Sequence, residues 1–452
     1  MATSIRVWVY PKGMSEALFS RIEPIQVMAD GTVKQVNPFS GTEVWTVPGR
    51  GNRPFSHAPE SPEPLAVGAH TSTCAFCSDR KLETPPEKSR ILGSGEVLRG
   101  VGAADLDHTE PAFRRVPNLF EIVSYDYWTA NYQYKMDDES AERMHAYIAD
   151  PAGREHVLKT VRTKLKAAGK DAEMSEEELL AQAGCFFGGG HDVIIGSRHF
   201  VDGATDDSQL ASSGTLSPDD HFLLTSFTAD SMRDLYARNR YADYVVAFQN
   251  WLAPAGASFE HLHKQLVAID DLSMSAMREN DILRSHPNMY NDWAVGYAAQ
   301  HNLVIAENDY AVLFAGFGHR YPTLELFSKS RHCAPWEQTP GEIRGMSDLM
   351  HAAHAAVGPD VACNEEWHHK APSVDVAQPW RVMIKLRVST LAGFEGGTKV
   401  YINTISPWDL RDRIVDSMYS LRGRGKLASG IAIATECRLE RNSLRYLSSR
   451  QS

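Results

Sequence analysis

Short runs of apolar residues separated by turn residues dominate this chain, with a few longer stretches that keep a helical period. Residues 33–36 and 43–47 flank Asn37-Pro-Phe-Ser-Gly41 and read as two strands joined at a turn. Residues 116–123 read as a short apolar strand entry with Asn118 at its lip. Residues 136–184 are charged and helix-prone, with Ser175 and Glu178 as a capping box, and read as a helical insertion. Gly188-Gly-Gly190 then leads into a strand over 191–195 that ends at Ser197-Arg-His199. A helix with Ser217 as N-cap and Pro218 at its first position runs to about residue 240. Strands over 244–251, with Asn250 near the end, and 261–269 follow.

The same order recurs. A strand over 323–327 ends at Ser330-Arg-His332, a helix starts near Thr339, and strands over 361–367 and 380–386 come next. A further capped helix begins at Ser406. The repetition predicts an α+β fold built by internal duplication, with two tandem halves, residues 1–285 and 286–452, each a largely antiparallel sheet with helices.

Composition narrows the function classes. A net charge of −11 argues against broad binding to nucleic acid or to an anionic membrane. No apolar run approaches the about 18 residues that span a bilayer, and no secretory leader is visible, so a soluble cytoplasmic protein is expected. The six cysteines form no disulfide framework, which fits a reducing compartment.

Two motifs carry chemistry. The first is Gly256-Ala-Ser-Phe-Glu-His261-Leu-His263-Lys-Gln265, which on a strand over 261–269 points His261, His263 and Gln265 to one face. With 18 histidines in 452 residues, about 0.7 His-x-His pairs arise by chance, so the neighbourhood decides its meaning. The second is Cys74-Ala-Phe-Cys77. With six cysteines only about 0.08 such pairs are expected by chance, and a C-x-x-C turn offers two thiolates to one tetrahedral zinc. His199 and His261 complete a Cys₂His₂ set, one structural zinc per chain, which would hold the strand carrying His263. That leaves His263 as a nucleophile toward a phosphoanhydride, with amide donors from Gln265 and a cradle from Ser258 and its turn. Arg50 and Arg53, set among glycines, offer charge-assisted donors to a phosphate.

These pieces, with Val116-Pro-Asn-Leu-Phe120, Asn250, Trp367-His368-x-x-Ala-Pro372 and Gly393-Phe-Glu-x-Gly-x-x-Val-Tyr-Ile-Asn403, resemble the galactose-1-phosphate uridylyltransferase branch of the histidine triad superfamily. The resemblance implies a nucleotidyltransferase in which His263 carries a nucleoside monophosphate, UMP by analogy, and Gln265 contacts its phosphate. It implies that Arg50, Arg53, Asn118, Asn250 and Ser258 bind substrate and that Cys74, Cys77, His199 and His261 hold zinc. The partners implied are a nucleotide or nucleotide sugar and a sugar phosphate, and a homodimer is compatible. A second metal site of some members would match Glu279 and His368, but its His-x-His pair is replaced by Val382-Met-Ile-Lys385, so that metal is expected to be absent. Leu262 and Lys264 depart from the usual His-Pro-His-Gly-Gln, which leaves galactose open as the sugar. Two alternatives stand beside this: a dinucleoside polyphosphate phosphorylase or adenylyltransferase, and a zinc-stabilised nucleotide-binding protein without turnover.

Overall fold

The computed structural model describes residues 23–49, 61–389 and 391–451. Its strands are β1 (Ile25–Val27), β2 (Val33–Val36), β3 (Glu43–Thr46), β4 (Ser89–Leu92), β5 (Val97–Arg99), β6 (Pro111–Pro117), β7 (His191–Gly196), β8 (Tyr244–Trp251), β9 (His263–Ile269), β10 (Val304–Glu307), β11 (Ala311–Ala315), β12 (Thr323–Ser328), β13 (Cys363–His368), β14 (Arg381–Leu386), β15 (Val400–Asn403) and β16 (Ala432–Ile433). Twelve of them form one sheet in the order β16-β10-β11-β12-β14-β13-β8-β9-β7-β6-β4-β5. Every neighbouring pair in it is antiparallel. The order reads alike outward from the central pair β8–β13: β9 and β14 come next, then β7 and β12, then β6 and β11.

Helices Pro218–Arg238 and Pro340–Val357 precede β8 and β13 and pack on one face of this sheet, each started by a Ser or Thr N-cap followed by proline. Leu224, Phe227, Met232, Met346 and Leu349 meet Leu262, Leu266, Trp367 and Val382 there in one apolar core that crosses the centre of the sheet. The two halves therefore bury a common core.

The opposite face is covered unevenly. Over the second half lie β1 to β3, helix Met274–Ser285 and the π-helical turn Tyr290–Val295, which bury Val312, Phe314 and Phe327. The strands β1 to β3 join β15 in a separate four-stranded sheet, with β15 parallel to β3. Over β6, β7 and β9 only Val116, Val193 and Ile195 cluster, with Phe76 against them.

The insertion is helical, as expected: Asp138–Ala149, Pro151–Ala167 and Glu176–Leu180 surround their own core of Val157, Val161, Leu179 and Phe186, and the Ser175–Glu178 capping box forms. Of the strands that begin elsewhere than the sequence suggests, two bear on the site. The strand near Asn118 is Pro111–Pro117, earlier than 116–123, because the buried cations Arg114 and Arg115 interrupt its apolar pattern. The strand expected from His261 begins at His263, since His261 belongs to the preceding turn.

Candidate functional site

The first half of the sheet gathers its polar residues by register. Val193 pairs with Gln265 and Ile195 with His263, so β7 and β9 present His191, His263 and Gln265 to the less covered face while Asp192, Lys264 and Leu266 face the helices. The His263 ring is fixed by one short bond, its Nδ1–H donating to the carbonyl of His261 at 2.7 Å. Nε2 is then the unprotonated nitrogen, and it has no hydrogen-bond partner among the described residues. The ring is 6% exposed, and its burial holds the imidazolium form below the ordinary histidine range, so the neutral base persists. Phe76 packs edge-on against it at 5.3 Å and meets Phe259 at 4.4 Å.

Gln265 is oriented by a residue that sequence reasoning passed over. His191 Nδ1 accepts from the backbone N–H of Ile122 at 3.0 Å, so its Nε2–H is a donor, directed at Gln265 Oε1 at 3.1 Å. Asn118 Nδ2 donates to the same oxygen at 3.4 Å. With its carbonyl so engaged, the Gln265 amide turns its NH₂ away, with no hydrogen-bond partner among the described residues. Asn118 in turn accepts from the N–H of Phe120 at 2.9 Å, which keeps it at the lip.

Cys74, Cys77, His199 and His261 converge, with all ligand atoms within 4.8 Å of one another. A tetrahedral ion with metal–sulfur and metal–nitrogen bonds of about 2.3 and 2.1 Å needs sulfur–sulfur edges of about 3.8 Å and sulfur–nitrogen edges of about 3.6 Å. Here the sulfurs lie 3.8 Å apart and each stands 3.4–3.8 Å from Nδ1 of the two histidines. His261 Nε2–H donates to the carbonyl of Gly196 at 2.7 Å, which fixes the tautomer that presents Nδ1 to an ion. The residues thus fit a metal and tie the Cys-x-x-Cys turn to the entry of β9.

Behind β9 lies a second feature that sequence reasoning missed. Lys264, fully buried, forms an ion pair with Glu365 of β13, whose carboxylate also accepts from Trp367 Nε1 at 2.6 Å and pairs with His354 Nε2 at 2.7 Å. Lys264, and the chain of Lys88 just before β4, Asp192 of β7 and Arg115 of β6, tie β9 and its neighbours together from the helix side.

The remaining candidates sit as follows. Asn250 of β8 is held by Asn364, which donates to its Oδ1 at 2.7 Å and to the carbonyl of Ala255 at 2.8 Å. Gly256 turns the chain at φ +89°, a conformation that favours glycine. Ser258 is exposed in that turn, and no described contact joins it to His263 or Gln265. Arg50 and Arg53 lie outside the described residues. Glu279 and His368 lie where the second metal was considered. The Glu279 carboxylate engages Arg381 at 2.5 and 2.9 Å and accepts from Tyr290 at 2.6 Å, and against the cost of burial this guanidinium keeps it ionised.

The family model described as a domain of unknown function (DUF4921) matches residues 28–446, and the chain belongs to that family. Among curated proteins, ADP-glucose phosphorylase from Arabidopsis thaliana is 26% identical over 176 residues, 37% of this chain and 50% of that protein, so the match spans about half of its length. Among solved structures, an ADP-glucose phosphorylase from Arabidopsis thaliana with bound ADP-glucose superposes with a TM-score of 0.56 at 18% identity, over 85% of this chain and 98% of the other. A GalT-like protein from Arabidopsis thaliana gives 0.52 at 18% identity, over 77% and 93%. The chain has the fold of the galactose-1-phosphate uridylyltransferase-like proteins that its motifs resemble. Among the described residues no helix is long and apolar enough to cross a membrane.

Proposed function

We propose that this DUF4921 protein transfers a nucleoside monophosphate from a nucleoside diphosphate sugar to a second phosphate through a covalent adduct on His263. The observation that carries it is the pairing of an unprotonated, unpartnered Nε2 on His263 with an uncommitted amide NH₂ on Gln265, two residues along the same strand face. In the first step the Nε2 lone pair forms a bond to the α-phosphorus while the bond from that phosphorus to the bridging oxygen breaks. The electron pair leaves on the sugar phosphate, which is a stable anion and needs no proton. Gln265 donates to the non-bridging oxygens, where charge gathers. In the second step an oxygen of inorganic phosphate or of a sugar phosphate attacks the same phosphorus and frees the imidazole. In this reading Asn118, Asn250 and Ser258 bind the nucleotide, and Arg50 and Arg53 keep the phosphate-binding role that their spacing suggests.

Zinc is the metal proposed for Cys74, Cys77, His199 and His261, since two thiolates and two imidazoles at tetrahedral spacing suit it and leave no open position. Its part is structural, a cross-link beside the nucleophile. Of the two bases, adenine has the support of the relatives' names, which specify ADP-glucose, and uracil that of the motif resemblance.

Intact-mass measurement after incubation with ADP-glucose or with UDP-glucose tests both points. An AMP or UMP adduct that disappears in His263→Asn identifies the nucleophile and the base together. No adduct and no phosphate-dependent exchange with either donor would sink the transferase reading. Metal analysis should find one zinc per chain in protein purified without chelator, and far less would remove the zinc assignment.

A further inference from the structure

On the opposite face of the sheet from His263, the insertion closes over a cavity of about 520 Å³. Helix Asp138–Ala149 supplies Glu139, Ser140, Arg143, Ala146 and Tyr147, positions that fall on one helical face. A helix laid on a core would bury an apolar stripe there, so this polar face is turned toward space. The far wall is made by Lys88, by Arg115 of β6 and by Asp234 and Arg238 of helix Pro218–Arg238, with Arg99 of β5 at the solvent end, 40% exposed.

Five cations line the cavity beside the carboxylates of Asp105, Glu139, Asp150 and Asp234, and four of the five are matched. Lys88 pairs with Asp192 at 2.7 Å, and Arg115 with Asp192 and Asp234 at 2.6 and 2.7 Å. Arg238 meets Asp234 and Asp137 at 2.9 and 3.0 Å, and Arg99 meets Asp230 at 2.6 Å. The fifth, Arg143, has no carboxylate partner among the described residues. It donates once, to the carbonyl of Glu87 at 2.7 Å, and stacks over Phe187 at 5.2 Å. Its Nε is buried without a hydrogen-bond partner. Burial, then repulsion from Arg115 and Arg238, pushes its guanidinium down to about 10. A desolvated guanidinium with unused donors, stacked on a ring and facing open space, is costly unless an anion meets it.

We infer that this cavity is a binding site for a small phosphate ester, with Arg143 as the receptor for its phosphate group. A phosphate group takes a guanidinium fork two oxygens at a time, as a carboxylate does, and keeps a third oxygen for a further donor, while Arg99 and Arg238, already paired with aspartates, stand in the same wall. The volume lies in the range of small-molecule sites, about 300–1,000 Å³, and exceeds what a bare phosphate fills, so the remainder of the ligand lies along Ala103, Ala104 and Tyr147. The inference concerns binding alone and does not depend on the chemistry proposed at His263.

Two measurements test it. In the unmodified protein, phenylglyoxal labelling mapped by mass spectrometry should show Arg143 protected by glycerol 3-phosphate, while the exposed Arg154 labels at an unchanged rate. In calorimetric titration of glycerol 3-phosphate, Arg143→Leu should weaken binding at least about tenfold and Arg143→Lys less, with Arg154→Leu unchanged. Equal labelling of Arg143 with and without the ester, or an Arg143→Leu variant that folds and binds as before, overturns the site. Protection by inorganic phosphate with none by the ester overturns the ester assignment. Should Arg143→Leu not fold, the labelling result on the unmodified protein decides alone.

Discussion

The two halves of the large sheet offer the same position twice and use it in opposite ways. β7 and β12 each have six residues, and the fifth of each, Ile195 and Phe327, pairs with His263 of β9 and Arg381 of β14. Two residues on, Gln265 in the first half corresponds to Met383 in the second. In the first half the face is thinly covered, and His263 keeps a free nitrogen beside a free amide. In the second, β1 to β3 and the Tyr290–Val295 turn cover the face. Arg381 is locked to Glu279 at 2.5 Å and packed against Tyr290, Phe39 and Phe327 at 5.0–6.0 Å. A shared frame therefore does not make a shared site. What differs is whether the groups on it have already spent their hydrogen-bonding capacity on each other.

The comparison can be broken by substitution. The largest effect is expected from His263→Asn, which should lower turnover at least about 10⁴-fold without lowering the unfolding midpoint in urea. An active His263→Asn enzyme would remove the difference between the halves. Arg381→Leu should do the reverse. By leaving Glu279 buried without its cation it should cost about 3–5 kcal/mol of stability, read from the same urea curves, and replacing Glu279 as well should recover most of that. Gln265→Ala is expected to slow adduct formation about 100-fold with little change in stability, whereas Met383→Ala should show the converse. The smallest effect is on pH. Because burial lowers the His263 pKa, the imidazole stays neutral to below its ordinary value of about 6.5. The rate of adduct formation should then be flat above that pH and fall only on its acid side, and a single-turnover profile with its acid limb above 7 would contradict the geometry.

Sequence alone showed the parts of this site whose members are neighbours in the chain or carry rare spacings. Cys74 and Cys77 announce themselves by spacing, and His263 and Gln265 by strand period. His191 does not. It is a lone histidine 74 residues from the Gln265 that it orients, and only the β7–β9 register reveals the contact. Lys264 looked like a departure from a motif, while its meaning lies in Glu365, 101 residues away. Arg114 and Arg115 hid the start of β6, since a buried arginine reads as surface until its partners are known. β10 and β11 went unread because both of their faces are buried, so no polar–apolar alternation marks them. Helix starts were the most legible feature, because Ser217, Thr339 and Ser406 act within one turn of their own chain.

The central β8–β13 pairing bears on how the chain is made. A ribosome finishes β8 more than a hundred residues before β13 exists to pair with it. For that interval Tyr244–Trp251, eight residues long, is an unprotected edge able to join the same edge on another nascent chain. A fragment ending at residue 300 should therefore aggregate while the whole chain stays dispersed, as light scattering can show. Production of the protein is in that sense a race between elongation and self-association, with the second half as the first half's chaperone.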